Sequence, residues 1–169
     1  MTLIRATSPD DFAAIVQLNA DEVQQTSEMD IHRLAELHGF SCHHKVAVVD
    51  GRVVGFLLAM FDSAPYLNDN FNWFANRYDS FVYVDRIVIS KDFAGRRIGS
   101  ALYRDLFDHA RQYGKEFVVC EYNIEPPNEA SAAFHRRWNF SEVGSQYVAG
   151  GAKKVSLQAA AVAINTQET

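Results

Sequence analysis

The chain has 169 residues, 48% of them hydrophobic and 22% charged, with a formal net charge of −5 at neutral pH. That length can bury one sizeable core, and the balance excludes both a disordered chain and a basic surface built for nucleic acid. No run of Lys and Arg exceeds the pairs Arg96-Arg97, Arg136-Arg137 and Lys153-Lys154, no stretch reaches the roughly 18 to 20 apolar residues of a membrane span, and the start lacks the apolar core of a secretory signal, so a cytoplasmic protein without membrane or nucleic-acid partners is expected.

"TLIRAT" reads as a first strand, and "SPDDF" as a helix start, with Ser8 as N-cap, Pro9 in the first turn and Asp10 and Asp11 at the positive end of the dipole. Phe12, Ile15, Val16, Leu18 and Asn19 keep a helical period that fades into "DEVQQTSE". A second helix, "MDIHRLAELHGF", is expected to end on Gly39 as its left-handed cap. "KVAVVDGRVVGFLLAMF" is two β-rich runs around Asp50-Gly51, a dipeptide suited to the positive φ angles of a tight hairpin. "DSAPYLNDNFNWFANRYDS" breaks all periodicity and predicts a long surface loop with room for a short helix.

From Phe81 the order changes. "FVYVDRIVI" predicts a strand, residues 95–113 a helix with Ile98, Ala101, Leu102, Leu106 and Ala110 on one face, and "EFVVCEY" another strand, together a β-α-β unit with parallel strands. "NEASAAFHRRW" is a further helix, and "FSEVGSQYVAGG" with "AKKVSLQAAAVA" a final hairpin. Residues 1–163 are thus expected to form one domain and 164–169 a frayed tail. Cys42 and Cys120 lie in apolar, strand-like surroundings and predict buried free thiols. His43 and His44, adjacent in a strand, point to opposite faces and cannot converge on one metal ion, so no metal is expected.

The junction "FAGRRIGSALYRDL" carries the functional signal. A helix entered from a strand through a short Gly-bearing loop presents its first unpaired N–H groups and the positive end of its dipole outward, a setting for phosphate. Gly95 and Gly99 permit close backbone approach, Ser100 offers a hydroxyl, and Arg96 and Arg97 add charge. Neither Gly-x-x-x-x-Gly-Lys-Ser/Thr nor Gly-x-Gly-x-x-Gly is present, which argues against a nucleotide-binding α/β domain.

"IVISKDFAGRRIGSALYRDLFDHA" resembles the acyl-coenzyme A binding motif of the GNAT acetyltransferase superfamily, and "NEASAAFHRRWNFSEVG" resembles its second motif. The order of elements, β-α-α-β-β-β-α-β-α-β-β, is similar to that superfamily over nearly the whole chain. The resemblance implies a mixed, mostly antiparallel α/β (α+β) sheet with one parallel β-α-β unit and helices on both faces. In the family loop Gln/Arg-x-x-Gly-x-Gly/Ala, Ala94 stands where Gln or Arg is usual, Arg97 where the first Gly is usual, and Gly99 keeps its identity. A shifted register, Arg96 to Ala101, fits the letters but sets the loop three residues further into the helix.

The resemblance further implies acetyl-CoA as acyl donor, lying along Ile87, Val88 and Ile89 and on Gly95, Arg96, Arg97, Ile98, Gly99 and Ser100, with Asn128, Ser131 and Phe134 contributing from the second motif. His135 takes the place of a family tyrosine that protonates the departing thiolate, and Tyr83 is the alternative donor. The acceptor would be a primary amine of a small molecule or peptide, attacking directly; homodimerisation stays open. Strand alternation sets Tyr83, Asp85, Ile87 and Ile89 on one face of their strand, and Asp85 is the candidate base; a salt bridge with a nearby basic residue is the competing reading, although Arg86 itself points to the opposite face. Tyr66, Phe71, Trp73, Phe74 and Tyr78 suit either a satellite core or, with Asp69 and Asp79, a pocket for an amine with an apolar body. A thioester-binding module without turnover is the competing reading.

Overall fold

The computed structural model describes residues 1–22 and 26–163, so the expected tail at 164–169 and part of "DEVQQTSE" lie outside the described residues. The strands β1 (Thr2–Ala6), β2 (His43–Val49), β3 (Arg52–Phe61), β4 (Phe81–Ile89), β5 (Phe117–Glu125), β6 (Ser141–Val148) and β7 (Lys153–Ala161) form a single sheet in the order β1-β2-β3-β4-β5-β7-β6. All neighbours are antiparallel except β4 and β5. Helices α1 (Phe12–Asp21), α2 (Ile31–Phe40) and α3 (Asp69–Ala75) cover one face, where Ile15, Leu34, Leu37 and Phe74 pack against Phe56, Leu58, Met60 and Tyr83. On the other face, α4 (Ile98–Gln112) lays Leu102, Leu106 and Ala110 on Leu57, Val82, Val84 and Val118, and Phe134 and Trp138 of α5 (Glu129–Arg137) join it.

Ser8 and Pro9 do start the first helical segment, which opens as a 3-10 turn over Pro9–Asp11. The Asp11 carboxylate accepts the Ser8 N–H at 2.9 Å and is gripped by Arg5 at 2.7 Å. Asp50 and Gly51 take φ angles of 49° and 77° at the β2–β3 turn, the geometry that the dipeptide predicts. Gly39 is not a left-handed cap: α2 runs on through Phe40 and ends at Ser41, whose hydroxyl donates to the His38 carbonyl at 2.6 Å. α4 begins at Ile98 rather than residue 95 and also buries Tyr103 and Phe107, which widens its apolar face around the α5 rings.

The aperiodic segment folds more fully than its sequence suggests. Asn68 accepts the N–H groups of Asn70 and Phe71 and starts α3. Tyr66, Phe71 and Phe74 go into the main core, and this removes the aromatic pocket from the two readings of that segment. His43 and His44 sit on opposite faces, one beside His109 and the other beside His38. Both cysteines are free, Cys120 buried and Cys42 partly so.

Two irregularities shape the centre. β4 pairs with β5 only from Phe81↔Phe117 to Tyr83↔Val119, and no pairing continues beyond. On its other side β4 pairs Val84 with Ala59 and Arg86 with Leu58, leaving Asp85 as an extra residue in a bulge. The bulge reverses the side-chain alternation. Phe81, Tyr83 and Val88 belong to the α1–α3 face, whereas Val82, Val84, Ile87 and Ile89 belong to the α4 face. The expectation that Tyr83, Asp85, Ile87 and Ile89 share one face therefore fails beyond Asp85.

Candidate active site

Where β4 and β5 part, a cavity of about 360 Å³ opens between them. Its walls include Asp85 and Arg86 from β4, Glu121 and Tyr122 from β5, Tyr103 from α4 and His135 from α5. It thus touches residues of both sheet faces.

At one rim of the α4 face stands the Gly/Arg loop. Gly95 has a φ of 77° and Arg97, the residue before α4, a φ of 60°. Arg97 takes the left-handed conformation that a glycine would take more easily, which supports the register that aligns it with the family's first Gly. The first helical bond is Ala101 N–H to the Arg97 carbonyl at 3.1 Å. The N–H groups of Ile98, Gly99 and Ser100 precede it and aim out of the helix start, as anion binding requires. Gly95, Arg96 and Arg97 are exposed, and the Arg96 guanidinium lies 4.7 Å from the Phe93 ring centroid.

Gly99 has a further reason to be glycine. A Cβ there would stand 3.2 Å from the Phe134 ring, so the residue lets α5 close onto α4. Asn128 caps α5, its side chain accepting the Ser131 N–H at 3.2 Å. Ile87 and Ile89 face α4, while Val88 is buried on the opposite face. The structure thus gathers the loop, Asn128, Ser131 and His135 on one side of the sheet and sets Val88 apart from them.

His135 is buried against Tyr103. Its Nδ1 lies 2.7 Å from the Ser131 carbonyl oxygen and its Nε2 2.6 Å from the Tyr103 hydroxyl. A carbonyl only accepts, so Nδ1 carries the proton and Nε2 accepts from Tyr103. Burial pushes the ring's pKa down and keeps it neutral. The ring faces the cavity side, yet both nitrogens are already engaged.

Asp85 is engaged as well. Its carboxylate accepts the Tyr66 hydroxyl at 2.5 Å and the Arg86 Nε–H at 2.7 Å. The bulge turns Arg86 onto the same side, against the expectation that it faces away, and Arg86 also reaches the Asn19 side chain at 3.0 Å and the Ser27 carbonyl at 3.1 Å. This ion pair ties β4 to α1 and to the segment after it.

The group that the sequence reading missed is Glu121. It stands two residues past the last β4–β5 pair and accepts hydrogen bonds from the Tyr83 hydroxyl, 2.8 Å from each oxygen, and from the Asn70 side chain. Burial, opposed by the Tyr83 hydrogen bond, pushes its pKa up to about 8. Burial also lifts the Tyr83 pKa, so the phenol stays protonated and donates. Strand alternation in "FVVCEY" places Glu121 with the core residue Val119, and an acid on a core-facing position was the available signal. Among the described residues, no group of three or more His, Cys, Asp and Glu side chains is arranged to hold a metal ion. No helix among them is long and apolar enough to cross a membrane.

The fold is similar to Ard1 from Thermoplasma volcanium, with a TM-score of 0.78 and 17% identity over 96% of this chain and 98% of that one. It is also similar to the ribosomal-protein-S18-alanine N-acetyltransferase from Escherichia coli, with a TM-score of 0.73 and 14% identity over 100% and 99% of the two chains. A third likeness is to yncA from Salmonella typhimurium, solved with its cofactor acetyl-CoA, with a TM-score of 0.71 and 21% identity over 100% and 98%. At these identities the likeness speaks for the fold alone. No curated protein sequence matches the chain. The family described as acetyltransferase (GNAT) matches residues 10–140, most of the chain's length. With this match laid over the loop at Arg97 and the parted strands, the protein is an acyltransferase and belongs to the GNAT acetyltransferase family.

Proposed function

We propose that the protein transfers an acetyl group from acetyl-CoA to the primary amine of a compact polar acceptor, a small molecule or the end of a peptide, by direct attack, with Glu121 as the base. The observation that carries this reading is the Glu121 carboxylate, held by the Tyr83 hydroxyl at 2.8 Å in the gap between the parted strands, where burial pushes its pKa up to about 8. A carboxylate at its ordinary value near 4.3 is a poor acceptor for an ammonium proton, and one near 8 is matched to it.

Acetyl-CoA supplies an activated carbonyl: a C–N bond forms as the C–S bond breaks. The backbone N–H groups of residues 98–100 would hold the pyrophosphate, with the exposed side chains of Arg96 and Arg97 nearby and Asn128 and Ser131 beside the coenzyme arm. Glu121 takes the proton from the incoming nitrogen, and Tyr83 steadies the carboxylate through both forms. Asp85, held by Tyr66 and Arg86, fixes the wall of the acceptor side. His135 orients Tyr103, and the sulfur leaves as thiolate and is protonated by water.

The wall away from α4 and α5 presents Ser27, Asn68, Asp69 and Asn70, while Tyr66, Phe71 and Phe74 are in the core. Such walls suit an amine that carries hydroxyl or amide groups. The test is thiol release from acetyl-CoA over a panel of amino acids, amino sugars, short peptides and apolar amines. Turnover confined to polar amines supports the reading. Coenzyme A binding without thiol release on any member would favour a binding module instead.

A further inference from the structure

The Glu121 carboxylate does not hold its place alone. Asn70, buried at the start of α3, donates its side-chain N–H to Glu121, and its other end, Oδ1, accepts the Gln146 Nε2–H at 2.8 Å. An Asn side chain has one donor end and one acceptor end, and a flipped amide would turn Oδ1 toward the carboxylate. Gln146 occupies Oδ1 and so forces the donor end onto Glu121. The same α3–β6 contact is fixed a second time at Gly144, where an added Cβ would stand 2.4 Å from the Trp73 ring, so α3 closes onto the edge strand only because residue 144 has no side chain.

We propose that Asn70 and Gln146 are positioning residues: Gln146 locks the Asn70 amide in one orientation, and Asn70 thereby holds Glu121 in the cavity and favours its ionised form. This rests on Glu121 as the base. The other groups around Glu121 include Tyr83, Asp85 and Arg86 from β4, with Tyr103 of α4, Cys120 and Tyr122 of β5, His135 of α5, Asp69 of α3 and Lys153 of β7 around the same cavity. Of the nearby charges Asp85 opposes ionisation and Arg86 favours it. A lost amide donor therefore moves the balance toward the protonated acid.

The experiment is a carbon-13 titration of the Glu121 carboxylate in protein labelled at glutamate Cδ, with the signal assigned by its loss in Glu121→Gln. It needs no acceptor and reads the proton, not turnover. Wild type should titrate near 8. Asn70→Leu should raise that value by about one unit, a tenfold tighter hold on the proton, and Gln146→Leu should move it in the same direction by less. Gln146 is only half-buried on an edge strand, so its variant serves if Asn70→Leu does not fold. Titration of Glu121 at the wild-type value in the folded variants would overturn the proposal. Loss of the base reading is distinguishable, because it shows as normal turnover in Glu121→Gln whatever the titration gives.

Discussion

The Tyr83 hydroxyl stands 2.8 Å from both oxygens of the Glu121 carboxylate and links the last paired residue of β4 to a β5 residue just beyond the pairing. This one contact spans the gap that the two strands leave. It puts a proton donor and a high-pKa acid where the sheet opens, and it brings a β4 residue of the sequence reading together with a β5 residue outside it.

Asp85 tests whether the bulge is structural. Asp85→Asn removes the partner of a buried Arg86 guanidinium, and breaking a buried pair from one side costs about 3 to 5 kcal/mol. The variant should lose thermal stability and turnover together. A stable Asp85→Asn protein with only its rate reduced, and with recovery at high pH, would return the base role to Asp85.

The loop makes two opposite predictions for neighbouring residues. Arg97→Gly should keep coenzyme A affinity within about threefold and gain stability, because a non-Gly residue in the left-handed region costs about 1 kcal/mol. Gly99→Ala should cost about 1 to 3 kcal/mol by crowding Phe134, and Phe134→Leu should restore it. Denaturant unfolding and coenzyme A titration of the variants check both.

For His135 the expectation is a structural cost. His135→Phe removes the imidazole acceptor of the buried Tyr103 hydroxyl and leaves it the weaker Cys120 sulfur, a loss of about 1 kcal/mol, while turnover at saturating substrates should fall by less than about tenfold. A drop of about 100-fold or more in a folded protein would identify the ring as a general acid.

Stability should fall in mild acid. Burial lowers the pKa of His43 to about 4 and of His44 to about 3, from an ordinary value of 6.5. The unfolded chain binds protons at these two sites that the folded chain refuses, so their contribution is complete above pH 6.5 and is lost as pH falls toward 4 and 3. Thermal melts between pH 7 and 4 should show Tm dropping, and a double His43→Gln, His44→Gln variant should show a shallower slope.

Local chemistry made much of this legible in advance. Asp50-Gly51 announces its hairpin, Ser8 and Pro9 their helix start, and the apolar period of 98–110 the face of α4, because each depends on residues adjacent in the chain. The loop at residues 95–100 was legible for the same reason. Asp85 and Arg86 misled because the bulge depends on pairing with β3, which strand alternation does not show. Glu121 was passed over because its burial, and its contacts with Tyr83 and Asn70, 38 and 51 residues away in sequence, arise only in the folded chain. Tyr66, Phe71 and Phe74 had no period to follow, and only the tertiary core decides their direction.

The most direct measurement is the pH dependence of kcat/KM for an accepted polar amine, at saturating acetyl-CoA, in wild type and Glu121→Gln. The variant keeps the shape of the side chain and removes its titration. Wild type should show a limb near pH 8, apart from the acceptor's own ammonium limb, below which the rate falls as Glu121 holds its proton. Glu121→Gln should be slower by about 100-fold to 10,000-fold, lack that limb and bind coenzyme A as before. A Glu121→Gln protein with the wild-type rate and the wild-type limb would contradict the account.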